Sequence, residues 1–209
     1  HYLGRSNFCL NSFYMKKGFT LLELLIVIGI LAILATVLIA VINPAELLRR
    51  ARDTQRLSDL DALRSAISLF IVDMPSPSIG NSNSVYAFAH VGSSIITNCA
   101  NRTTVTSPTR VTDSTGWIPI DFNSMSTKSP LAALPVDPNP ATSGASRYYL
   151  YLPDTSDVTF ELTANMESSY YKQGGSMDKE STDGGPLANI YEIGTKYIVT
   201  STTGCYATP

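Results

Sequence analysis

The chain has 209 residues, 44% of them hydrophobic and 15% charged, with a formal net charge of −2. Near neutrality gives no electrostatic footing for nucleic acid, and the charged fraction is low beside the ~25% typical of soluble domains. The length accommodates one ordinary domain plus an appendage.

Residues 1–18 are mixed in character and end in Met15-Lys16-Lys17-Gly18. They are either a leader of eighteen residues or, as we expect, a short leader starting at Met15 behind an upstream extension, 1–14. From Leu21 to Ile42 the chain is apolar on every face, with Glu23 as its only charge. At about 1.5 Å per residue a helix of that stretch rises about 33 Å, enough to cross a ~30 Å hydrocarbon core. Residues 19–42 are therefore expected to be membrane-inserted. An ordinary secretory signal has a shorter apolar core followed by small residues for cleavage. Here Asn43-Pro44 follows instead, so the segment is expected to remain in the mature chain.

Residues 43–73 are rich in helix formers. Leu60, Leu63, Ile67, Phe70 and Met74 recur at three- and four-residue spacing as one apolar stripe, while Arg56, Asp59, Asp61 and Arg64 fall mainly off it. Pro44 predicts a kink or local unwinding between the two helical stretches. Pro75 and Pro77 predict an end near Asp73. After residue 75 Ser, Thr, Asn, Gly and Pro dominate, and strands are expected at 85–91, 147–152, 158–163 and 190–199. Short non-helical connections favour antiparallel pairing. The expected fold is α+β: a long kinked N-terminal helix packed on a small antiparallel sheet, with residues 74–209 forming a β-rich domain. Tyr148, Tyr149 and Tyr151 are expected to pack that sheet against the helix.

A catalytic set is lacking. The only histidines are His1 and His90, and neither Gly174-Gly175 nor Gly184-Gly185 is followed by the Lys and Ser/Thr of a phosphate loop. Asp178, Glu180 and Asp183 crowd a Gly-rich loop whose oxygens suit calcium, although the spacing is not that of an EF-hand and a solvated acidic turn is the alternative. Of the three cysteines, Cys99 and Cys205 follow the apolar segment and can pair if that part is exported; two separate thiols are the alternative.

A carboxylate in an apolar span is expensive unless it reaches the interface or a partner supplies positive charge. With Glu23 in view, Lys16-Lys17-Gly18-Phe19-Thr20-Leu21-Leu22-Glu23 resembles the signal of type IV prepilins and type II secretion pseudopilins. The resemblance implies cleavage after Gly18 by a membrane peptidase that also methylates the new N-terminus, Phe19. It further implies that Glu23 pairs with the N-terminal ammonium of a neighbouring subunit during assembly. Ala51-Arg52-Asp53 through Ala62-Leu63-Arg64 looks like the family's helix continuation. Ser129-Pro130-Leu131-Ala132-Ala133-Leu134-Pro135-Val136-Asp137-Pro138 with Tyr148-Tyr149 is similar to the loop and strand after the helix in major pseudopilins, and Trp117-Ile118-Pro119 is similar to pilin-like proteins of small-genome bacteria. Major pseudopilins carry a calcium in a C-terminal loop, which adds weight to Asp178, Glu180 and Asp183.

The family implies a structural subunit of a pilus or pseudopilus, starting as a single-pass precursor in the cytoplasmic membrane and ending in an extracellular or envelope-spanning filament. Its partners would be copies of itself, the prepilin peptidase and the assembly machinery. A single-span, non-polymerising anchor for an extracellular binding domain is the alternative. Two features depart from the family: the helix proline comes about a turn late, and four arginines (Arg49, Arg50, Arg52 and Arg56) follow the span, so the count of basic residues does not place the N-terminus inside.

Overall fold

The computed structural model describes residues 18–88, 102–139 and 148–198. Its helices are α1 (Leu21–Ile42) and α2 (Pro44–Asp73), and its strands are β1 (Ser84–Phe88), β2 (Thr103–Ser107), β3 (Leu150–Asp154), β4 (Thr159–Ala164) and β5 (Tyr191–Gly194), with one 3₁₀ turn at Phe122–Ser124. The chain divides into two compact units at Asn43/Pro44.

The first unit contains α1. Every residue from Leu21 to Ile39 is exposed within the structure, as expected of a helix whose surroundings are lipid or other helices rather than its own chain. The helix ends at Ile42 because Asn43 adopts the left-handed conformation (φ 45°), a frequent helix stop for which Asn is one of the better-suited side chains. Pro44 then opens α2, a position where its missing N–H costs no helical hydrogen bond.

The second unit is built on α2. Leu60, Leu63, Ile67 and Phe70 are all buried, and Met74 packs at the edge of the same cluster. They meet Tyr151, Phe160 and Leu162 from one face of the sheet, and Trp117, Ile118, Ile120 and Phe122 from the segment between β2 and β3. The helix lies against β4 and β5. A second apolar layer, with Val85, Ala87, Leu150 and Leu152, covers the opposite face under Leu187 and Ile190. Tyr148, Tyr149 and Tyr151 are all buried.

The five strands run in the order β2-β1-β3-β4-β5. Three pairings are antiparallel, but β1 and β2 are parallel, with Val85 opposite Thr104. The sheet is thus mixed rather than antiparallel. Residues 89–102 are long enough to return the chain to the same end of the sheet, a connection that parallel pairing requires. Strand β2 itself was not anticipated: Thr-Thr-Val-Thr-Ser has no apolar alternation, and as an edge strand it needs none. Strand β5 stops at Gly194, short of the expected 199. A Cβ at Gly194 would lie 2.2 Å from the Phe160 carbonyl oxygen, so the close approach of β4 requires glycine there.

Candidate functional site

Gly18, Phe19 and Thr20 are exposed and precede the helix, so the Gly18–Phe19 peptide bond lies outside regular structure. Helix α1 starts where it does because Thr20 and Glu23 form a capping box. The Glu23 amide donates to Thr20 Oγ1 (3.2 Å), while Glu23 Oε2 accepts from both the Thr20 amide and its hydroxyl, each at 2.9 Å. Two otherwise unsatisfied amides of the first turn are thereby bonded. The Glu23 carboxylate thus stays within its own first turn, at the end of an exposed apolar helix.

A second polar arrangement, unanticipated from sequence, lies in the other unit. Arg56 is completely buried. Its Nε and Nη2 donate to the two oxygens of Asp137, both at 2.7 Å, its Nη1 donates to Asp53 (2.7 Å), and Nη2 also reaches Glu167. Arg52 adds two bonds to Glu167, at 3.1 and 2.6 Å. Asp53 in turn accepts from the amides of Glu167 (2.8 Å) and Ser168 (2.7 Å). The planar fork of one guanidinium therefore joins α2 to the loop before β3 and to the turn after β4. Its carboxylate partners hold the Arg56 pKa above its ordinary value in spite of burial, the largest single effect, which acts the other way. Next to it, Asp59 accepts from the Tyr149 hydroxyl (2.9 Å); burial raises the pKa of both groups. Sequence offered one signal, the i, i+3 spacing of Asp53 and Arg56. Nothing local pointed to Asp137 or Glu167.

Asp178, Glu180 and Asp183 do not converge. Asp178 accepts from the amides of Gly174 (2.8 Å) and Ser181 (2.9 Å) and from the Ser181 hydroxyl. Glu180 is buried and accepts from the amides of Met166 (3.0 Å) and Gln173 (3.1 Å). Asp183 accepts from the amides of Gly185 (2.8 Å) and Glu192 (2.6 Å). Burial raises the pKa of Glu180 and Asp183, and the bonds from Ser181 lower that of Asp178. Each carboxylate pins a different stretch of backbone. Among the described residues no group of three His, Cys, Asp or Glu is arranged to hold a metal ion.

A further acidic pair sits on the sheet face turned away from α2. Glu161 and Glu192 are both buried; Glu161 accepts from the Ile198 amide and Glu192 from the Leu187 amide (2.9 Å). Among the described residues no donor reaches the buried Oε1 of Glu192. Desolvation first, and then contact with Glu161, push the Glu192 pKa up to about 9. Cys99, Cys205, His1, His90 and the leader residues 1–17 lie outside the described residues.

Residues 14–39 match a family model, the prokaryotic N-terminal methylation motif, which is characteristic of type IV pilins and pseudopilins. No curated protein and no solved structure matches the chain significantly. The matched stretch covers the Gly18–Phe19 bond, the capping box and most of α1.

Proposed function

We propose that this chain is the precursor of a filament subunit, cleaved after Gly18 by a prepilin peptidase, methylated at Phe19 and polymerised through α1 into a type IV pilus or a pseudopilus. The observation that carries the reading is the coincidence, within residues 14–39, of the methylation motif with a wholly exposed apolar helix bearing one carboxylate at its start. The motif and the helix support a membrane-anchored precursor. An apolar face of that length must be covered, first by lipid and then by neighbouring helices.

In this reading the exposed, non-helical Gly18–Phe19 bond suits a peptidase, which needs an extended backbone. Cleavage leaves the Phe19 amine next to Thr20. Assembly then exchanges the capping bonds of Glu23 for the Phe19 ammonium of a neighbour, an ion pair strengthened in a dry helix core. The role is structural, and the second unit would be displayed on the outside.

The deciding experiment is the N-terminus and mass of the mature protein from membranes and sheared filaments. N-methylphenylalanine at Phe19 with 191 residues remaining (209 − 18) is the expected result. An intact leader in cells with an active prepilin peptidase would instead make the chain a non-polymerising anchor.

A further inference from the structure

The sheet face turned away from α2 has a cover of its own. Val85, Ala87, Leu150 and Leu152 form its apolar layer, and Leu187 and Ile190, from the loop between β4 and β5, lie over it with Ile198 packed alongside. On the same face stand Glu161 of β4 and Glu192 of β5. Gly194 is the register partner of Glu161, so Glu192 is the diagonal neighbour of Glu161, within reach across the strands. Both side chains are enclosed, at 0% and 1% exposure.

These two carboxyls hold the cover by its backbone. Glu161 accepts from the Ile198 amide, and Glu192 accepts from the Leu187 amide at 2.9 Å. The loop rests directly on Glu192, since a Cβ at Gly185 would come within 2.1 Å of Glu192 Oε2. The flanking ties are of another kind. Asp183 fixes the start of the loop by accepting from the Glu192 amide (2.6 Å). After β5, Thr195 donates to the Phe160 carbonyl (2.9 Å) and Lys196 to Asp154 and Asp157 (2.8 and 2.7 Å). Between those anchors, the loop 184–190 and Tyr197-Ile198 meet the sheet at Glu161 and Glu192. The Tyr197 hydroxyl donates to the Asp183 carbonyl (2.7 Å) and joins the two pieces of the cover.

Two dry carboxyls in contact disfavour a second negative charge, and a proton on one of them turns the repulsion into a hydrogen bond. The surrounding charges are mixed. Asp183 adds an acid on the loop side, and Asp61, Arg64 and Lys179 line the cleft that Glu192 borders. Arg102 interacts with Glu161 while its guanidinium donates to the carbonyls of Ser84 and Pro153 (3.3 and 3.0 Å). Burial raises Tyr191 and Tyr197 above their ordinary 10.

We propose that Glu161 and Glu192 form a one-proton latch that closes the loop 184–190 and Tyr197-Ile198 over the outer apolar layer of the sheet, and that loss of the proton lifts this cover while α2 and its core stay folded. In the closed form Glu192 donates through Oε1, the oxygen that no donor among the described residues reaches, and both amide bonds are kept. In the open form both carboxylates turn to water and release Leu187 and Ile198. Glu192 binds its proton more tightly closed than open, so the latch is complete below the ordinary 4.5 and weakens as pH rises towards about 9.

The test follows backbone hydrogen exchange of the full chain in detergent micelles by mass spectrometry, from about pH 5 to about pH 10, expressed as protection factors so that the intrinsic pH dependence cancels. Amides of 184–190 and Tyr197-Ile198 are expected to be less protected than those of Leu60–Phe70 at every pH. They should lose protection by up to about tenfold per pH unit and level off near pH 9. Equal protection of the cover and Leu60–Phe70 would mean that the cover opens only when the whole unit unfolds, and overturns the latch. So does a cover whose protection ignores pH. Glu192→Gln keeps an oxygen for the Leu187 amide and offers Glu161 a permanent N–H donor, so its slope should shrink to what Asp183 contributes. Glu161→Gln puts the same donor on the other strand and should behave alike, which keeps the test decisive if one variant fails to fold. The full slope in either folded variant would assign the proton to Asp183 and overturn the proposal.

Discussion

Glu23 and Arg56 are both charges on helices, each in a place that disfavours a charge, and the chain treats them oppositely. Arg56 is enclosed by the fold, where three carboxylates from three separate segments surround it, with Arg52 joining at Glu167. Glu23 stands at the head of an exposed apolar helix, and its hydrogen-bond partners are the amide and hydroxyl of Thr20, three residues away. The long-range set of Arg56 is only possible after folding and locks the second unit together. The local set of Glu23 forms as the helix starts and can be exchanged without disturbing any packing. A buried charge whose partners come from distant segments is architecture, whereas the bonds of Glu23 among the described residues stay within its own helix start.

The sharpest way to break that contrast is Glu23→Ala. We expect complete loss of filaments in sheared fractions under electron microscopy, with carbonate-resistant membrane insertion and the melting temperature of the second unit unchanged. Normal filaments would remove Glu23 from assembly. The reciprocal change, Arg56→Met, should destabilise the second unit by about 3–5 kcal/mol in denaturant titration, because buried Asp53 and Asp137 lose their cation and Glu167 keeps only Arg52. Arg56→Lys should recover only part of this, since an ammonium cannot reproduce the fork on Asp137. A loss below about 1 kcal/mol, the level of a surface pair, would mean that the cluster is not the lock we take it for.

Glu161 and Glu192 sharpen the comparison from another side, as buried carboxyls that meet each other rather than an arginine. Glu192 holds its proton more tightly in the fold than in the unfolded chain, where the ordinary value is 4.5. Its contribution is complete below that value. As pH rises the unfolded chain ionises first, so stability declines through neutrality and levels off above about pH 9. Burial raises Asp59, Glu180 and Asp183 as well, and these add to the decline with the same sign. Asp154, whose pKa is lowered chiefly by the bond from Lys196, acts oppositely and loses its contribution only in acid, below its ordinary 3.8. Glu192→Gln should flatten the alkaline decline in thermal melts collected across this range. An unaltered slope would place the proton elsewhere. The smallest effect is expected from Asp178→Asn, whose bonds all stay within its own exposed loop; its melting curve should overlay that of the unchanged chain.

What was legible in the sequence is what depends on neighbours within a few residues. The limits Leu21 and Ile42 follow from an unbroken apolar run, the stop at Asp73 from the prolines after it, and the core stripe Leu60-Leu63-Ile67-Phe70 from helical spacing. The methylation motif at residues 14–39 was legible for a similar reason, because it is a contiguous string. The strand positions around β1, β3 and β4 came close, although β3 starts three residues and ends two residues later than expected and β4 is displaced by one.

The tertiary structure decided the rest. Arg56 was expected mainly off the apolar stripe, but four residues before Leu60 and seven before Leu63 it continues that stripe, and a charge is held there because Asp137 and Glu167, 81 and 111 residues away, close over it. The parallel β1–β2 pair depends on where β1 already lies in the sheet, and the apolar pattern of β2 carries no trace of it. Asp178, Glu180 and Asp183 are close in number but are turned to different backbone donors by the turns between them. Local propensity and periodicity act over a helical turn or a strand repeat, and so the sequence by itself determined the helices and the methylation motif. Desolvation and long-range pairing act only once distant segments meet, and so only the folded chain decided which charges are shielded and which carboxyls are buried against one another.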